Sequence, residues 1–83
     1  MGSVVEAPKT RATIERERRN AVLIVGHMMR LRGMEVSERL QDCLVANADH
    51  VRAELVRRYG YVSSQPLYFA RSQVAGEQWP SGF

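Results

Sequence analysis

The sequence predicts an all-α protein: an antiparallel two-helix hairpin that dimerises into a four-helix bundle and carries an extended, aromatic-rich C-terminal strap. Two observations predict the hairpin. Apolar residues recur at spacings of three and four between Ile14 and Tyr59, and a glycine, Gly33 or Gly60, follows each periodic segment. A third observation predicts the strap, because all six aromatic side chains lie at or beyond Tyr59. We therefore expect three parts: a loose basic arm (1–12), a helical hairpin (13–60) and a tail (61–83).

The first helix is expected from about Ile14 to Arg32, with Thr10 or Thr13 available as its N-cap. On a helical wheel its apolar residues occupy about half of the circumference, which is wider than the stripe of an ordinary surface helix. One neighbouring helix cannot cover such a face, so we expect a second copy of the chain to contribute. The dimer core is then predicted to contain Ile14, Ala21, Ile24, Val25, Met28 and Leu31.

The second helix is expected to begin after Ser37, whose hydroxyl can accept the free amide hydrogens of the first turn. Its apolar residues continue at spacings of three and four to Tyr59, and Gly60 then ends it. Because the connection that follows Gly33 is short, the two helices are expected to pack antiparallel. This arrangement brings the end of the second helix beside the start of the first.

The tail is expected to be extended, because Pro66 biases the preceding residue away from helical backbone. Tyrosine, tryptophan and arginine are the residue types that most often dominate interface energetics. An alternative is that the tail forms a lid over the wide face of the first helix, and we favour this for Tyr61, Leu67 and Phe69. The candidate partner-binding residues are Tyr61, Tyr68, Phe69, Arg71, Trp79 and Phe83.

Positive charge is concentrated in the N-terminal part of the chain. The formal net charge is +3, and eleven of the twelve basic residues are arginine, which pairs well with carboxylates and phosphates. In an antiparallel hairpin six of these arginines meet at one end, where they form a candidate nucleic-acid or acidic-partner binding site. The alternative, which we favour, is that neighbouring glutamates partly neutralise them. The six are Arg16, Arg18, Arg19, Arg52, Arg57 and Arg58.

The sequence predicts neither a metal site nor a catalytic site. Cys43 is the only cysteine, which excludes an intrachain disulfide and fits a cytoplasmic location. Three possible ligands, His27, Asp42 and Cys43, fit no structural zinc spacing, and we expect Cys43 to be a buried core thiol. No apolar run approaches the roughly 20 residues that span a bilayer. We therefore expect no cofactor and no membrane association.

These observations predict a non-enzymatic interaction protein that binds a surface of another protein or assembly. Small chains of this kind serve as regulators, inhibitors, adaptors or assembly subunits in bacteria and phages. The aromatic tail and the arginine-rich end of the hairpin are the expected binding elements. The alternative is a dimeric DNA- or RNA-binding regulator that uses the basic end of the hairpin and shows a steep dependence on salt.

Overall fold

A computed structural model describes residues 10–76, and this part of the chain forms helices and no strand. The all-α prediction is therefore confirmed for these residues. None of the helices formed here combines the length and the hydropathy that crossing a bilayer requires. The four helices are α1 (Arg11–Leu31), α2 (Glu38–Ala46), α3 (Ala48–Tyr59) and α4 (Pro66–Ala75).

The ends of α1 follow from local signals in the sequence. The hydroxyl of Thr10 accepts a hydrogen bond from the amide of Thr13 at 3.1 Å, which satisfies one of the free amides of the first turn. At the other end Gly33 has a φ of 82°, a left-handed conformation that glycine adopts without steric cost. Both ends lie within a few residues of their predicted positions.

The second predicted helix is two helices. Ser37 caps α2 as predicted, because its hydroxyl accepts a hydrogen bond from the amide of Leu40 at 3.1 Å. The prediction of an unbroken helix to Tyr59 is wrong, since the helix is interrupted at Asn47, which has a φ of −109° and a ψ of 25°. The side-chain amide of Asn47 donates to the carbonyl of Cys43 at 2.8 Å and so competes with the helical backbone hydrogen bonds.

The contacts of α2 progress along α1 towards its start. Gln41, early in α2, lies beside Gly26 of α1. Val45, near the end of α2, lines a shared groove with Arg18 and Val22, closer to the start of α1. The helix α2 therefore runs antiparallel to α1.

The two sides of α3 contact different parts of α1. Asp49 and Arg52, on one side of α3, form ion pairs with Arg18 and Glu17 in the first half of α1. His50, Glu54 and Arg58, on the opposite side, line a groove with residues of the second half of α1. The predicted hairpin placed the end of α3 beside the start of α1, whereas Arg58 lies in this groove.

The prediction of an extended strap is wrong for residues 66–75, because they form α4. Pro66 occupies the first helical turn, where the missing amide hydrogen would have had no partner within the helix. The expected effect of this proline on its predecessor does occur, since Gln65 has a non-helical φ of −120° and ψ of 75°. Trp79 and Phe83 of the predicted strap lie outside the described residues.

The core lies where α3 and α4 pack against α1. Every buried side chain in the described part of the chain is apolar. Two helices of the same chain therefore cover the wide apolar face of α1, for which the sequence predicted a second copy. The buried cluster contains Ala21, Ile24 and Met28 from α1, Leu55 from α3, and Phe69, Ala70 and Val74 from α4.

Candidate functional site

Three aromatic rings fix the start of α4 against the rest of the protein. The rings of Tyr59 and Phe69 meet edge to face with centroids 5.2 Å apart, and those of Tyr61 and Phe69 meet in the same way at 5.4 Å. Phe69 is only 4% exposed and belongs to the core. The prediction that Phe69 binds a partner is therefore wrong, and its alternative assignment to a lid over α1 is the one that its burial supports.

The opposite side of α4 is exposed. Tyr68 is 71% exposed, and Leu67 retains 42% of its accessible surface. Arg71 is also exposed and lies one turn after these two residues, so the three side chains share one side of the helix. Tyr61, in the connection between α3 and α4, is half-exposed and lies beside Phe69. We call these four residues, Tyr61, Leu67, Tyr68 and Arg71, the α4 outer face.

A groove with a volume of about 330 Å³ separates α1 from α3. Its lining is mainly apolar and includes three methionines, so we call it the methionine groove. Met28 is buried at its base, whereas Met34, in the connection between α1 and α2, is 51% exposed. The groove is lined by Val25, Met28, Met29, Arg32, Met34, His50, Val51, Glu54, Leu55, Arg58 and Tyr59.

Charged side chains form the rim of the methionine groove. The carboxylate of Glu54 accepts hydrogen bonds from Arg57, whose Nη2 lies 2.7 Å from Oε2 and whose Nε lies 3.3 Å from Oε1. Arg58 is more distant, with Nε 3.9 Å from the same carboxylate. These hydrogen bonds from Arg57 lower the pKa of Glu54, partial desolvation opposes the shift, and the charges of Arg57, His50 and Arg58 add to it. The same hydrogen bond raises the pKa of Arg57.

A second groove, with a volume of about 260 Å³, lies between α1 and α2. Val22 and Leu23 of α1 face Val45 of α2 across it, and Arg18 and Arg19 stand at its edge. Val45 and Leu23 are both substantially exposed. This groove is smaller than the methionine groove, and the Asp49 carboxylate already engages one of its two arginines.

The structure assembles the predicted basic cluster only in part, because Arg52 lies beside the turn of α1 that carries Arg16, Arg18 and Arg19, whereas Arg57 and Arg58 contact Glu54 instead. Arg18 pairs with Asp49, and Arg52 pairs with Glu17. Both ion pairs join α1 to α3, so these arginines connect helices of the same chain. Their guanidinium groups are already engaged by carboxylates.

The remaining four arginines of that cluster lie at two separate places. Arg57 and Arg58 contact Glu54 in the last turns of α3, at the end of the molecule near Arg32. Arg16 and Arg19 are exposed on the first half of α1. The physical reason is the break at Asn47, after which α3 no longer continues the direction of α2 towards the start of α1.

Of the residues assigned to a dimer core, only some remain accessible. Ala21, Ile24 and Met28 are buried within the single chain, and Val25 packs against the same core. Ile14 is partly buried, whereas Leu31 is exposed. Dimerisation itself stays a prediction, and the buried members of this set are not available to a second copy.

Cys43 differs from its expected environment. The thiol is exposed rather than buried, and the side-chain amide of Asn47 lies 3.7 Å from its sulfur. Cys43 is exposed because α2 is a separate short helix whose residues are at most partly buried. Among residues 10–76, no three histidine, cysteine or acidic side chains are grouped in a way that could hold a metal ion.

Comparison with known protein families, with curated proteins and with solved structures finds no match to this chain. The α4 outer face was predicted in part, through Tyr61, Tyr68 and Arg71. The methionine groove was missed. A signal for it exists in the sequence, since Met28, Met29 and Met34 fall within seven positions, and methionine is common at adaptable binding surfaces.

Proposed function

We propose that this protein is a non-enzymatic interaction protein that binds another protein through the α4 outer face. The observation that carries the proposal is the 71% exposure of Tyr68, a large aromatic side chain flanked on the same helix by Leu67 and Arg71. Tyrosine and arginine are enriched among the residues that dominate binding energy at interfaces. An exposed group of this composition is typical of a binding surface.

Support for the proposal also comes from the rigidity of the helix that bears the face. Phe69, Ala70 and Val74, on the other side of α4, are buried against α1 and α3. Because the helix is held by its own core contacts, little backbone conformational entropy is lost when the α4 outer face binds a partner. Such preorganisation strengthens binding without additional contacts.

The chemistry of the α4 outer face defines the kind of surface that it fits. The rings of Tyr61 and Tyr68 favour a shallow apolar depression with a hydrogen-bond acceptor at its edge for the phenol hydroxyl. The guanidinium of Arg71 favours a carboxylate, which it can contact through two parallel hydrogen bonds. We therefore propose a protein partner that offers an apolar pocket beside an acidic side chain.

Nucleic-acid binding is the alternative proposal, and the arrangement of charges supports it less. Four of the six arginines expected to bind phosphates, namely Arg18, Arg52, Arg57 and Arg58, already contact carboxylates of this chain. Of the six, Arg16 and Arg19 are the two exposed arginines on α1 that nucleic-acid binding would use. Two arginines on one helix give a weaker attraction for a phosphate backbone than the predicted cluster of six.

Partner capture with a tagged full-length chain tests the proposal. The chain is incubated with lysate of its source organism, and captured proteins are quantified by mass spectrometry for the unsubstituted chain and for the Tyr68→Ala, Arg71→Ala double variant. We expect the double variant to lose the captured protein, because loss of a dominant interface contact lowers affinity by about thirtyfold or more. Circular dichroism verifies that the variant is folded.

Val45→Ala is the matched control, since Val45 is similarly exposed but lies on α2. This variant is expected to retain the partner. Retention of the partner by the Tyr68, Arg71 double variant would contradict the proposal. A mobility-shift titration at two salt concentrations addresses the alternative: RNA or DNA binding that the Arg16→Gln, Arg19→Gln variant abolishes would favour a nucleic-acid-binding regulator.

A further inference from the structure

The helix α2 is the least buried of the four helices, since none of its nine residues is buried. Leu40 and Leu44 are only partly buried, and Val45 is 58% exposed. A helix shorter than roughly 12–15 residues is marginal in water without packing against other parts of a protein. A further contact that covers α2 would therefore stabilise it.

A basic row of α1 residues borders α2. Arg19, Leu23, Gly26 and Arg30 follow one another at spacings of four, three and four, so they share one side of the helix. Arg19 and Leu23 line the groove between α1 and α2, and Leu23 is 39% exposed. A Cβ atom at Gly26 would lie 3.6 Å from Nη1 of Arg30 and 3.8 Å from Oε1 of Gln41 in α2. The row thus carries an arginine at each end of a short uncharged segment.

The row of α2 residues on the same side of the molecule is acidic. Glu38, Asp42 and Val45 recur at spacings of four and three, so they share one side of α2, and all three are exposed. Val45 lines the same groove as the α1 row. Arg39, the only basic residue of α2, lies about 100° round the helix from Glu38.

The charges of the two rows are not neutralised within residues 10–76. Arg19, Arg30, Glu38 and Asp42 are all exposed, and none of them forms an ion pair in this part of the chain. Arg18, at the edge of the same groove, differs because a carboxylate already engages it. The basic row and the acidic row can therefore both form ion pairs with a partner.

The two rows lie at matching levels because α2 runs antiparallel to α1. Gln41 lies beside the middle of the α1 row, so Glu38, three residues earlier in α2, lies towards Arg30. Val45 shares the groove with Leu23, closer to the start of α1. A two-fold axis that runs between the helices would place the basic row of one copy on the acidic row of another. The surface is therefore complementary to itself, as the contact of a symmetric dimer requires.

We propose that the α1–α2 face, formed by these two rows, binds a second copy of the chain in a two-fold symmetric dimer. Arg30 of each copy contacts Glu38 of the other, and Leu23 of each packs on Val45 of the other. The other two charges of the rows add a longer-range attraction. This surface differs from the dimer core predicted from the sequence, whose central residues are buried within one chain. It shares no residue with the α4 outer face and does not depend on the function proposed for that face.

Sedimentation equilibrium of the full-length chain tests the proposal over protein concentrations from about 10 µM to about 1 mM. We expect a reversible dimer whose dissociation constant rises with salt, because the charges at its edges are exposed and screened. Arg30→Glu and Glu38→Arg each place like charges opposite one another at both ends of the symmetric contact. Each should weaken dimerisation at least about tenfold.

An equal mixture of these two variants distinguishes a contact between copies from a contact within one chain. In the mixed dimer the two substituted side chains face each other with opposite charge, and the native Arg30 faces the native Glu38. We therefore expect the mixture to recover dimerisation that neither variant shows alone. Arg71→Glu is the matched control, since it makes the same change of charge at an exposed position of α4, and it should leave the dimer unchanged.

Circular dichroism verifies that each variant is folded, because a basic residue in the first turn of α2 opposes the helix dipole. If Glu38→Arg disrupts the fold, Glu38→Gln is compared with Glu35→Gln, which changes an exposed glutamate just before α2. Only the change at Glu38 should then weaken the dimer.

Three results overturn the proposal: a chain that stays monomeric over this range, a dimer that no substitution at Arg30 or Glu38 weakens, or a mixture that dimerises no better than its components. A dimer that Arg71→Glu dissociates would place the second copy on the α4 outer face and equally overturn it. Loss of a captured partner by the Tyr68→Ala, Arg71→Ala variant concerns the proposed function alone, so the two proposals can fail separately.

Discussion

The guanidinium of Arg52 in α3 donates a hydrogen bond from Nε to one carboxylate oxygen of Glu17 in α1, and its Nη2 forms an ion pair with the same oxygen. Nε lies 2.8 Å and Nη2 lies 2.7 Å from Oε1. Both side chains are largely buried, with exposures of 23% for Arg52 and 16% for Glu17. The pair therefore joins the first half of α3 to the first half of α1, just after the helix break at Asn47.

Glu17→Gln tests this ion pair. The substitution removes the negative charge beside the largely buried guanidinium of Arg52. We expect it to lower the free energy of unfolding by about 1–3 kcal/mol. Urea unfolding followed by circular dichroism measures the change. Glu15→Gln, at an exposed position of the same helix, is the control and should change stability by no more than about 0.5 kcal/mol. Equal effects of the two substitutions would show that the Glu17–Arg52 pair contributes no stability of its own.

Substitutions of the adjacent residues Tyr68 and Phe69 test which side of α4 packs in the core and which is exposed. Phe69→Ala removes a buried ring that contacts Tyr59 and Tyr61, so we expect a loss of about 3–5 kcal/mol of unfolding free energy. Tyr68→Ala changes a side chain that is mostly in solvent, and its effect should stay within about 0.5 kcal/mol. If Phe69→Ala prevents folding, Phe69→Leu, which is expected to lose less unfolding free energy, is compared with Tyr68→Ala instead. A Tyr68 variant that is less stable than the Phe69 variant would contradict the position of α4.

Two glycine-to-alanine substitutions are expected to act in opposite directions. Gly60 ends α3 with a φ of 81°, so Gly60→Ala forces a side chain into left-handed backbone and should destabilise the protein by about 1–2 kcal/mol. Gly26 lies inside α1, and an added methyl group there would meet Arg30 at 3.6 Å and Gln41 at 3.8 Å, which are ordinary contacts. Gly26→Ala should therefore stabilise the protein by about 0.5–1 kcal/mol through helix propensity. Thermal unfolding of both variants shows whether each substitution raises or lowers the stability of the protein.

The carboxyl group of Glu54 is expected to titrate below the ordinary pKa of glutamate, because Arg57 donates hydrogen bonds to it. A lowered pKa in the folded state means that Glu54 stabilises the protein above its ordinary pKa. This contribution is lost as the pH falls through the lowered value. Carboxyl carbon chemical shifts recorded by NMR across the acidic range measure the pKa directly.

Arg57→Gln is expected to return the pKa of Glu54 towards its ordinary value. Arg58→Gln should do so less, because Arg58 lies 3.9 Å from the carboxylate whereas Arg57 lies at 2.7 Å. An unshifted pKa in the unsubstituted protein, or a larger response to Arg58→Gln than to Arg57→Gln, would count against this arrangement of the three charges.

The helix boundaries that were predicted correctly depend on neighbours in the sequence. Thr10 and Ser37 each cap a helix by accepting a hydrogen bond from an amide three residues later. Gly33 and Gly60 each adopt a positive φ after a helical segment. Such interactions span at most one turn, so residue type and spacing are enough to locate them.

The residues of the α4 outer face were predicted only in part, because their exposure depends on contacts between helices and not only on neighbours in the sequence. Exposure of Tyr68 and Arg71 agrees with the prediction of a partner-binding tail, but burial of Phe69 between them depends on the contact of α4 with α1. The methionine groove is formed by residues of α3 and of the second half of α1, which are far apart in the sequence. No local pattern reports which two helix faces will lie side by side.

Local sequence signals are sufficient to predict that the chain is helical, where α1 and α2 begin, and where α1 and α3 end, because caps and left-handed glycines act within a single turn. The break at Asn47 and the formation of α4 after Pro66 depend instead on contacts between helices. Local propensity permits either outcome at each of these points. Burial of Leu55, Phe69 and Val74 against the wide apolar face of α1 favours the one observed, since it removes that face from water within a single chain.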